Sequence, residues 1–374
     1  MTKRGNAEGS IYKRKDGRWA AAFLLPNGRR KVVYAKTRAE AGTKLRESQH
    51  LVARGMVLAD ERTTVETFLN TWLQTIQSTV RPRTYQGYAL NVERHLTPDL
   101  GHIRLARLTP ETIQLLLAKK LAQGLAPQTV RNIHATLRAA LRQAERWSVL
   151  ARNPASLVSP PRVAREELQP MSVEQAQAFL QAVREDRLSA LYYVAMLGLR
   201  QGEILGLRWE DLDFAVNTLR VQRTLQRYGG EYHLTEPKTT RSRRTVPLPL
   251  PVVDALRAHR TKQYEERLRA GTMWQGEQWG LVFCREDGAP LSGAVVTHRF
   301  QSTLKQAGLP RQPFHRLRHS AASIMLAQGV PLRTVMEVLG HSEIGTTANI
   351  YGHLTGELTR DATERVGRAI WGAS

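Results

Sequence analysis

The chain has 374 residues, of which 55 are Lys or Arg and 33 are Asp or Glu, giving a formal net charge of +22. A hydrophobic fraction of 41% excludes a disordered protein, the lack of an 18-residue apolar run excludes a membrane-spanning helix, and a single cysteine excludes an internal disulfide. The length suggests two or three domains, and we expect a reducing, cytoplasmic setting close to the nucleoid.

The positive charge is concentrated in the first part of the chain. Residues 1–55 carry a net charge of +10, residues 56–165 carry +8, and residues 166–374 carry +4. Such an excess indicates a polyanion, most often nucleic acid, as the partner; the alternative is a basic surface without a specific ligand. The asymmetry favours DNA-binding domains in residues 1–165, followed by a globular domain whose basic and acidic residues are more nearly equal in number.

Residues 1–58 predict a small domain of three strands followed by a helix. The predicted strands are residues 11–14, 19–25 and 30–34. Asp16-Gly17 and Asn27-Gly28 form turns between them, and Thr37 caps the helix with Glu40 completing a capping box. The basic residues of this sheet suit insertion into a DNA groove, although a solvated charged face would have the same composition. They are Lys13, Arg14, Lys15, Arg18, Arg29, Arg30 and Lys31.

Residues 62–160 predict a small bundle of four helices. Thr64 precedes the first, whose apolar residues recur at spacings of three and four, and the second is expected to run from Pro82 to His95. Pro110 and Pro127 open the third and fourth, since proline is favoured in the first helical turn. The polar faces carry basic residues that either contact phosphate or are merely solvated. They are Arg81, Arg83, Arg94, Lys119, Lys120, Arg131, Arg138 and Arg142.

A linker and a third domain follow. Asn153-Pro154, Pro160-Pro161 and a charged run at 162–167 offer few apolar anchors, which is typical of a domain boundary. Residues 168–374 predict a mainly helical domain, and residues 219–222, 232–234 and 244–247 read as strands of one small sheet. The fold class is therefore multidomain and mainly α with small β-sheets.

Four local patterns in the third domain carry chemistry. In chain order they hold Arg200 and Glu203 in residues 198–207, Lys238 in the turn of a predicted hairpin, His315 and Arg318 in residues 315–319, and His341 and Tyr351 in residues 339–353. Each pattern alone is weak evidence, because single charged residues and a lone tyrosine occur in every protein. Together and in this order they form a specific set.

The set resembles the signature of the tyrosine recombinases, also called phage-type integrases: Arg, Lys, His-x-x-Arg, His or Trp, and Tyr. No position is missing, and Glu203 falls where the family has Asp or Glu three residues after the first Arg. The resemblance extends over the whole chain. It implies an arm-type DNA-binding domain at 1–58, a helical core-type DNA-binding domain at 62–160, and a catalytic domain with a tail helix at 168–374.

The implied reaction is a transesterification that needs no metal and no other cofactor. Tyr351 attacks a DNA phosphate, which gives a 3′-phosphotyrosine and a free 5′ hydroxyl, and a partner strand's hydroxyl then reseals the bond. Arg200 and Arg318 are expected to grip the non-bridging oxygens, because guanidinium groups donate forked, charge-assisted hydrogen bonds. Their charge also lowers the pKa of the nucleophilic tyrosine.

The remaining residues of the set have supporting roles in this reading. Lys238 protonates the 5′ leaving oxygen as general acid, and His315 is either a base or a phosphate donor. His341 donates to a non-bridging oxygen, and Glu203 orients an arginine or a histidine.

Two alternatives concern single residues. His315 and His319 are four apart on a predicted helix and resemble a zinc pair, but no Glu follows His315 as in His-Glu-x-x-His. Arg241, Arg243 and Arg244 lie near Lys238, yet arginine is too basic to act as a general acid at neutral pH.

The resemblance also implies partners. These are double-stranded DNA attachment sites of arm and core types, a homotetramer on synapsed DNA, a host DNA-bending protein and an excision factor, and no membrane. Residues 355–374 predict an amphipathic tail helix, which docks either on a neighbouring protomer or on its own domain.

Three functions compete. The first is a site-specific integrase of a phage or integrative mobile element, favoured over a chromosome-dimer resolvase by the front domain. The second is a type IB topoisomerase, which shares the chemistry without synapsis. The third is a regulator that keeps the fold without catalysis, which the intact residue set disfavours.

Overall fold

The structure is a computed structural model that describes residues 9–24, 30–53, 62–163, 169–237, 242–340 and 372. The chain divides into two compact units, residues 1–165 and 166–374. Each unit is described by itself.

The first unit begins with a small antiparallel sheet covered by a helix. The elements are β1 (Ser10–Lys13), β2 (Trp19–Leu24), β3 (Arg30–Ala35) and α1 (Arg38–Ala53), and the strand order is β1-β2-β3. The predicted β-β-β-α order is thus confirmed. Thr37 caps α1 by accepting a hydrogen bond from the Glu40 amide at 3.2 Å. The capping box is shifted by one residue, because the Glu40 carboxylate accepts from the Lys36 amide rather than from that of Thr37.

Five α-helices follow among the described residues of this unit. They are α2 (Val65–Ile76), α3 (Pro82–Asn91), α4 (Thr97–Leu100), α5 (Pro110–Ala122) and α6 (Pro127–Arg146). The hydroxyls of Thr64 and Thr109 cap α2 and α5 by accepting from the amides three residues on, each at 3.2 Å. Because apolar side chains recur on one face of each long helix, these helices enclose a common core separate from that of the small sheet.

The predicted helix from Pro82 to His95 does not stay regular to its end. A π-turn at Val92–Leu96 joins α3 to α4, and the Thr97 amide bonds the Val92 carbonyl five residues back. Pro98 accounts for this, because it lacks the amide hydrogen that a regular helix would direct at the Arg94 carbonyl.

The expectation that Asn153 and Pro154 already belong to a linker is wrong. Asn153 is buried and its side-chain amide donates to the Arg138 carbonyl oxygen at 2.9 Å. The buried His134 ring lies 2.9 Å from the Ala155 carbonyl oxygen through Nε2, and Val158 packs in the helical core. The helical bundle therefore includes the chain as far as Val158.

The second unit is mainly helical. Its helices are α7 (Val173–Ala182), α8 (Ser189–Ala195), α9 (Gln201–Leu205), α10 (Leu250–Ala270), α11 (Gly293–Gln306), α12 (Arg316–Ala327) and α13 (Leu332–Leu339). Ser172 caps α7 as predicted, with its hydroxyl accepting from the Gln175 amide. An edge-to-face cluster of Phe179, Tyr192, Phe300 and Phe314 joins α7, α8, α11 and the entry to α12. This core fixes the α8–α9 turn and the start of α12, where the candidate site lies.

The predicted single sheet of the second unit is wrong. The strands are β4 (Leu212–Asp213), β5 (Thr218–Val221), β6 (Thr224–Tyr228), β7 (Glu231–Thr235) and β8 (Arg244–Pro247). They form two sheets, β4-β5-β8 and the hairpin β6-β7. Gly229 and Gly230 have positive φ values of 62° and 86° and make the tight hairpin turn that pairs β7 with β6 instead of β5.

None of the helices in the described part of the chain combines the length and apolar character that a membrane span requires.

Candidate active site

Arg200 and Glu203 lie at the first turn of α9. Glu203 is 2% exposed, and its carboxylate accepts from the Arg200 amide at 3.0 Å and from Arg200 Nη1 at 2.7 Å. The Arg200 side chain is 38% exposed, so its guanidinium group is reachable from solvent. The carboxylate therefore both caps the helix and fixes the arginine.

Arg318 comes to the same place from the first turn of α12. It is 2% exposed, and its Nη1 donates to the Gly198 carbonyl oxygen at 2.6 Å. Burial, and then the charge of Arg200, lower the pKa of Arg318 to about 9. This group stays protonated at neutral pH, and the effect of the Arg200 charge on it indicates that two positive charges lie in one site.

Gly198 allows this close approach. Its φ is +87°, and an added Cβ would lie 2.2 Å from Leu339 Cδ2 in α13. Leu339 is fully buried, so it has little room to move. Gly198 therefore lets the α8–α9 turn, α12 and the end of α13 meet.

Replacing Gly198 by alanine is expected to lower the free energy of unfolding by at least about 2 kcal/mol, because left-handed strain and overpacking act together. Denaturant unfolding of the second unit measures this. Gly308→Ala is the matched control: its φ is +66°, but no atom lies within 4 Å of the added Cβ, so backbone strain alone should cost about 1 kcal/mol. Equal losses in the two variants would show that the Leu339 contact is unimportant.

Glu203 is shared between two arginines. Arg244 Nη2 donates to Glu203 Oε2 at 3.0 Å, and the Arg244 side chain is only 7% exposed. Burial opposes ionisation of Glu203, but the charges of Arg244 and Arg200 and the Arg200 amide lower its pKa below the usual value. The carboxylate is thus an ionised, buried anchor.

Two histidines lie edge to face at the start of α12, with His315 directly before the helix and His319 in its first turn. The rings of His315 and His319 are 5.1 Å apart and nearly perpendicular. Reduced hydration, followed by the charges of Arg318 and Arg200, lowers the pKa of His315. The pKa of His319 falls to about 4, mainly through burial and also through His315 and the nearby arginines. The His319 ring is therefore neutral at pH 7, and the lowered pKa of His315 favours its neutral form, which has one nitrogen able to accept a proton.

Lys238, His341 and Tyr351 lie outside the described residues, as do Arg241 and, apart from Gly372, the predicted tail helix at 355–374. The structure does describe the other two competitors of Lys238. The Arg244 side chain is 7% exposed and each of its three guanidinium nitrogens donates to a protein group, whereas Arg243 is exposed and pairs with Glu236 at 2.6 Å.

Sequence reasoning missed Arg244 as part of the site. The sequence shows it only as the last residue of a basic run after Lys238. A partial signal was its position at the start of β8, ahead of the buried Val246. Gly198, directly before Leu199-Arg200, was likewise not assigned a role.

The basic residues of the small sheet are mostly exposed. Lys13, Arg14, Arg18 and Arg30 are exposed, Lys31 is half-buried, and Arg29 lies outside the described residues. Arg14 and Arg18 both pair with Asp16, at 3.4 and 2.8 Å, and both lie over the Tyr34 ring. The two guanidinium groups therefore form a positively charged cluster that packs on the Tyr34 ring.

The helical bundle places its predicted DNA contacts differently. Arg81, Arg83, Arg131 and Arg138 are exposed at the start of α3 and along α6. Lys120 is 5% exposed and pairs with Asp99 at 2.6 Å, so its expected availability to phosphate is wrong. Its position on α5 turns it inward, where the carboxylate neutralises it.

Family models match most of the chain. The model described as phage integrase family matches residues 169–357, and the one described as phage integrase, N-terminal SAM-like domain, matches residues 64–121. The chain is 32% identical over 354 residues to a tyrosine recombinase XerC-like protein of Caldanaerobacter subterraneus subsp. tengcongensis, covering 90% of each. It is 30% identical over 435 residues to an integrase of Saccharopolyspora erythraea, covering 100% of this chain and 99% of that one.

Solved structures share the fold. The Tn1549 transposon integrase in complex with transposon right-end DNA matches with a TM-score of 0.65 and 22% identity, over 80% of this chain and 99% of that one. A lambda integrase tetramer bound to a Holliday junction matches with a TM-score of 0.55 and 18% identity, over 93% and 96% of the two chains.

Proposed function

The chain belongs to the phage integrase family of tyrosine recombinases, and from that membership we propose that the residues around Arg200 and Arg318 form the active site of a site-specific DNA integrase. The element that it serves is a phage or an integrative mobile element; one relative is named as the integrase of Mycobacterium phage L5. The reaction cuts DNA and rejoins it through a 3′-phosphotyrosine.

One observation supports the site above all others: the convergence of Arg200 and Arg318. A phosphodiester under attack gathers negative charge on its non-bridging oxygens, and preorganised cations stabilise this charge. Arg318 is held by the Gly198 carbonyl and Arg200 by Glu203. Because both are fixed before DNA arrives, little reorganisation is required when the charge develops.

Neutral His315 beside these arginines can accept the phenolic proton of Tyr351. The pKa of His315 lies below its usual value, so an appreciable neutral fraction exists at physiological pH. The phenolate oxygen then forms a bond to phosphorus, and the bond from phosphorus to the 5′ oxygen breaks. Lys238 delivers a proton to that leaving oxygen, and His341 donates to a non-bridging oxygen.

The reverse steps reseal the DNA. A 5′ hydroxyl of the partner strand attacks the phosphotyrosine, and the phenolate leaves and regains its proton. The number of phosphodiester-type bonds is conserved throughout, so this chemistry needs no nucleotide cofactor, and Arg200 and Arg318 supply the positive charge for which other phosphoryl-transfer sites use a metal ion.

In this proposal, the first unit binds the DNA attachment sites. Residues 1–58 bind arm-type sites through the cationic face around Tyr34, and residues 62–160 bind core-type sites through α3 and α6. The exposure of Arg14, Arg18, Arg131 and Arg138 supports this division, and residues 168–374 form the catalytic domain. Positive side chains release counterions from the duplex, which makes affinity strongly dependent on salt.

Assembly is part of the proposal. Two sites exchange strands only when four active sites meet, and the lambda integrase tetramer on a Holliday junction is a structural precedent. We propose that this chain forms a homotetramer on synapsed attachment sites near the nucleoid, helped by a host DNA-bending protein and an excision factor. The tail at 355–374 docks within or between protomers.

Incubation with a nicked suicide substrate that carries the chain's own attachment site tests the proposal. The wild-type chain is expected to form a covalent protein–DNA adduct, and Tyr351→Phe is expected to form none, because the phenolic oxygen is the nucleophile. Gel electrophoresis under denaturing conditions measures the adduct. Tyr228→Phe, in the β6-β7 hairpin, is the matched control and should form adduct as the wild type does.

Two further outcomes separate the competing functions. Exchange of strands between two sites excludes a topoisomerase that acts without synapsis. Specific site binding without any adduct from the wild-type chain would refute catalysis and favour a regulator.

A further inference from the structure

We propose that Arg244 is a positioning residue that sets the geometry of Arg200 through Glu203 and the end of α13; this inference rests on the proposed function. Arg244 begins β8, and its side chain is 7% exposed. It is therefore withdrawn from the surface where DNA would lie and acts on other protein groups.

The Arg244 guanidinium group joins three parts of the second unit. Its Nη2 donates to Glu203 Oε2 in α9 at 3.0 Å, and its Nε donates to the Val338 carbonyl oxygen in α13 at 2.6 Å. Its Nη1 donates to the Ser242 carbonyl oxygen at 3.1 Å, which holds the chain just before β8. A planar group with donors on three sides suits this task, and lysine would not reproduce it.

Glu203 transmits the position of Arg244 to Arg200. Oε1 accepts from Arg200 Nη1 at 2.7 Å, whereas Oε2 accepts from Arg244 Nη2. Since each oxygen serves one guanidinium group, Arg244 prevents Arg200 from forming a bidentate pair with the carboxylate. The Arg200 guanidinium group is thus bound to Glu203 through Nη1 alone, and its other N–H donors are left for other partners.

The end of α13 provides a second link between the two arginines. The last carbonyls of a helix have no intrahelical partners and carry partial negative charge. Arg244 binds the Val338 carbonyl, and Arg200 Nη2 donates to the Gly340 carbonyl oxygen at 3.3 Å. Gly340 has a φ of 68°, the left-handed conformation that ends helices. Arg244 therefore also fixes the carbonyl against which Arg200 rests.

Loss of Arg244 should change the geometry of Arg200 without removing it. Glu203 Oε2 would become available to Arg200, and the end of α13 would lose its tie to β8. A shift of about 1 Å in a group that positions a reacting phosphate costs about 100-fold in rate. The expected loss is kinetic, because Arg244 itself does not reach the DNA.

Single-turnover cleavage of a suicide substrate by the full-length chain, at saturating DNA, tests the inference. We expect Arg244→Met to lower the cleavage rate constant about 10- to 100-fold, with less than about threefold change in the Kd for DNA. Arg244→Lys should be intermediate, because an ammonium group replaces only part of the fork. Arg243→Met is the matched control, since this neighbour is exposed and pairs with exposed Glu236; its rate should stay within about twofold of wild type.

A structural role is separated from positioning by the double variant Glu203→Gln with Arg244→Met, which removes the buried charge together with its partner. Recovery of both thermal stability and cleavage rate in the double variant would overturn the inference, whereas recovered stability with a rate below that of Glu203→Gln alone supports it. If Arg244→Met does not fold, Arg244→Lys decides: a wild-type rate overturns the inference, and a reduced rate at wild-type stability supports it.

Arg200→Ala, measured in parallel, distinguishes this inference from the proposed function. If Arg200→Ala loses cleavage while both Arg244 variants keep it, only the positioning role is wrong. If Arg200→Ala cleaves as the wild type does, the proposed site itself fails.

Discussion

Arg200→Ala is expected to lower the rate constant for DNA cleavage about 10²–10³-fold, while the chain still binds its attachment site. The guanidinium group is fixed by Glu203 and by the Gly340 carbonyl before DNA arrives. Alanine removes a preorganised cation whose strongest interaction forms only as charge develops on the phosphate. In the proposed function, ground-state binding is shared among many basic residues of the first unit, so one lost phosphate contact is expected to change the total affinity little. Single-turnover kinetics at saturating DNA and a separate binding isotherm measure the two quantities.

Arg220→Ala provides the matched control for this loss. Arg220 lies in β5 of the same unit and is exposed, and its Nη2 donates to the Glu210 carbonyl oxygen at 3.4 Å. Arg220→Ala removes one positive charge, as Arg200→Ala does, and its rate constant for cleavage should remain within about twofold of the wild-type value. Equal losses in the two variants would mean that overall charge, and not the placement of Arg200, controls cleavage.

The helices of the first unit could be predicted because their signals are local. Thr64 and Thr109 stand directly before periodic apolar runs, and their hydroxyls cap α2 and α5 in the structure. The sheet of the second unit needed non-local information. Residues 219–222 and 232–234 both have strand composition, but their partners depend on the Gly229-Gly230 turn, which pairs β7 with the unforeseen β6.

The candidate site was predictable in its residue types but not in its internal connections. The order of Arg200, Glu203, His315 and Arg318 along the sequence carried the family resemblance. Only its alternation with Val246 hints in the sequence that Arg244, and not its neighbour Arg243, faces inward; in the structure the Arg244 side chain is 7% exposed against Glu203, whereas Arg243 is exposed. Alternation along β8 decides which of the two faces inward, and that depends on the packing of α9 and α13 around it.

These connections mean that chemistry and stability share one carboxylate. Glu203 orients Arg200, neutralises Arg244 and caps α9, and it does so while almost fully buried. A buried ion pair contributes little net stability relative to an apolar replacement, but removing only one partner is costly. The site therefore tolerates loss of the carboxylate poorly even when no DNA is present.

Glu203→Gln is expected to lower the free energy of unfolding of the second unit by about 3–5 kcal/mol near pH 7. Glutamine keeps one oxygen but turns an NH₂ group toward a guanidinium donor, so the buried Arg244 charge loses its counter-ion. The part of this stability loss that comes from the ion pair between Glu203 and Arg200 is smaller, because the Arg200 side chain is 38% exposed and water screens its charge. Urea unfolding with pulsed hydrogen exchange measures the second unit separately from the first.

The pH dependence of this loss has a definite sign. Burial raises the pKa of Glu203, but Arg244, the Arg200 amide and the Arg200 charge together hold it below its ordinary value of 4.5. A carboxyl group whose folded-state pKa is depressed stabilises the fold above its unfolded-state pKa, and this stabilisation declines as the pH falls through the folded-state pKa. The difference between wild type and Glu203→Gln should thus be constant from about pH 6 to about pH 8 and shrink below about pH 4.5. Glu265→Gln is the matched control, because its exposed pair with Arg269 should contribute less than about 0.5 kcal/mol; a similar loss in that variant would show that burial of the carboxylate is not the cause.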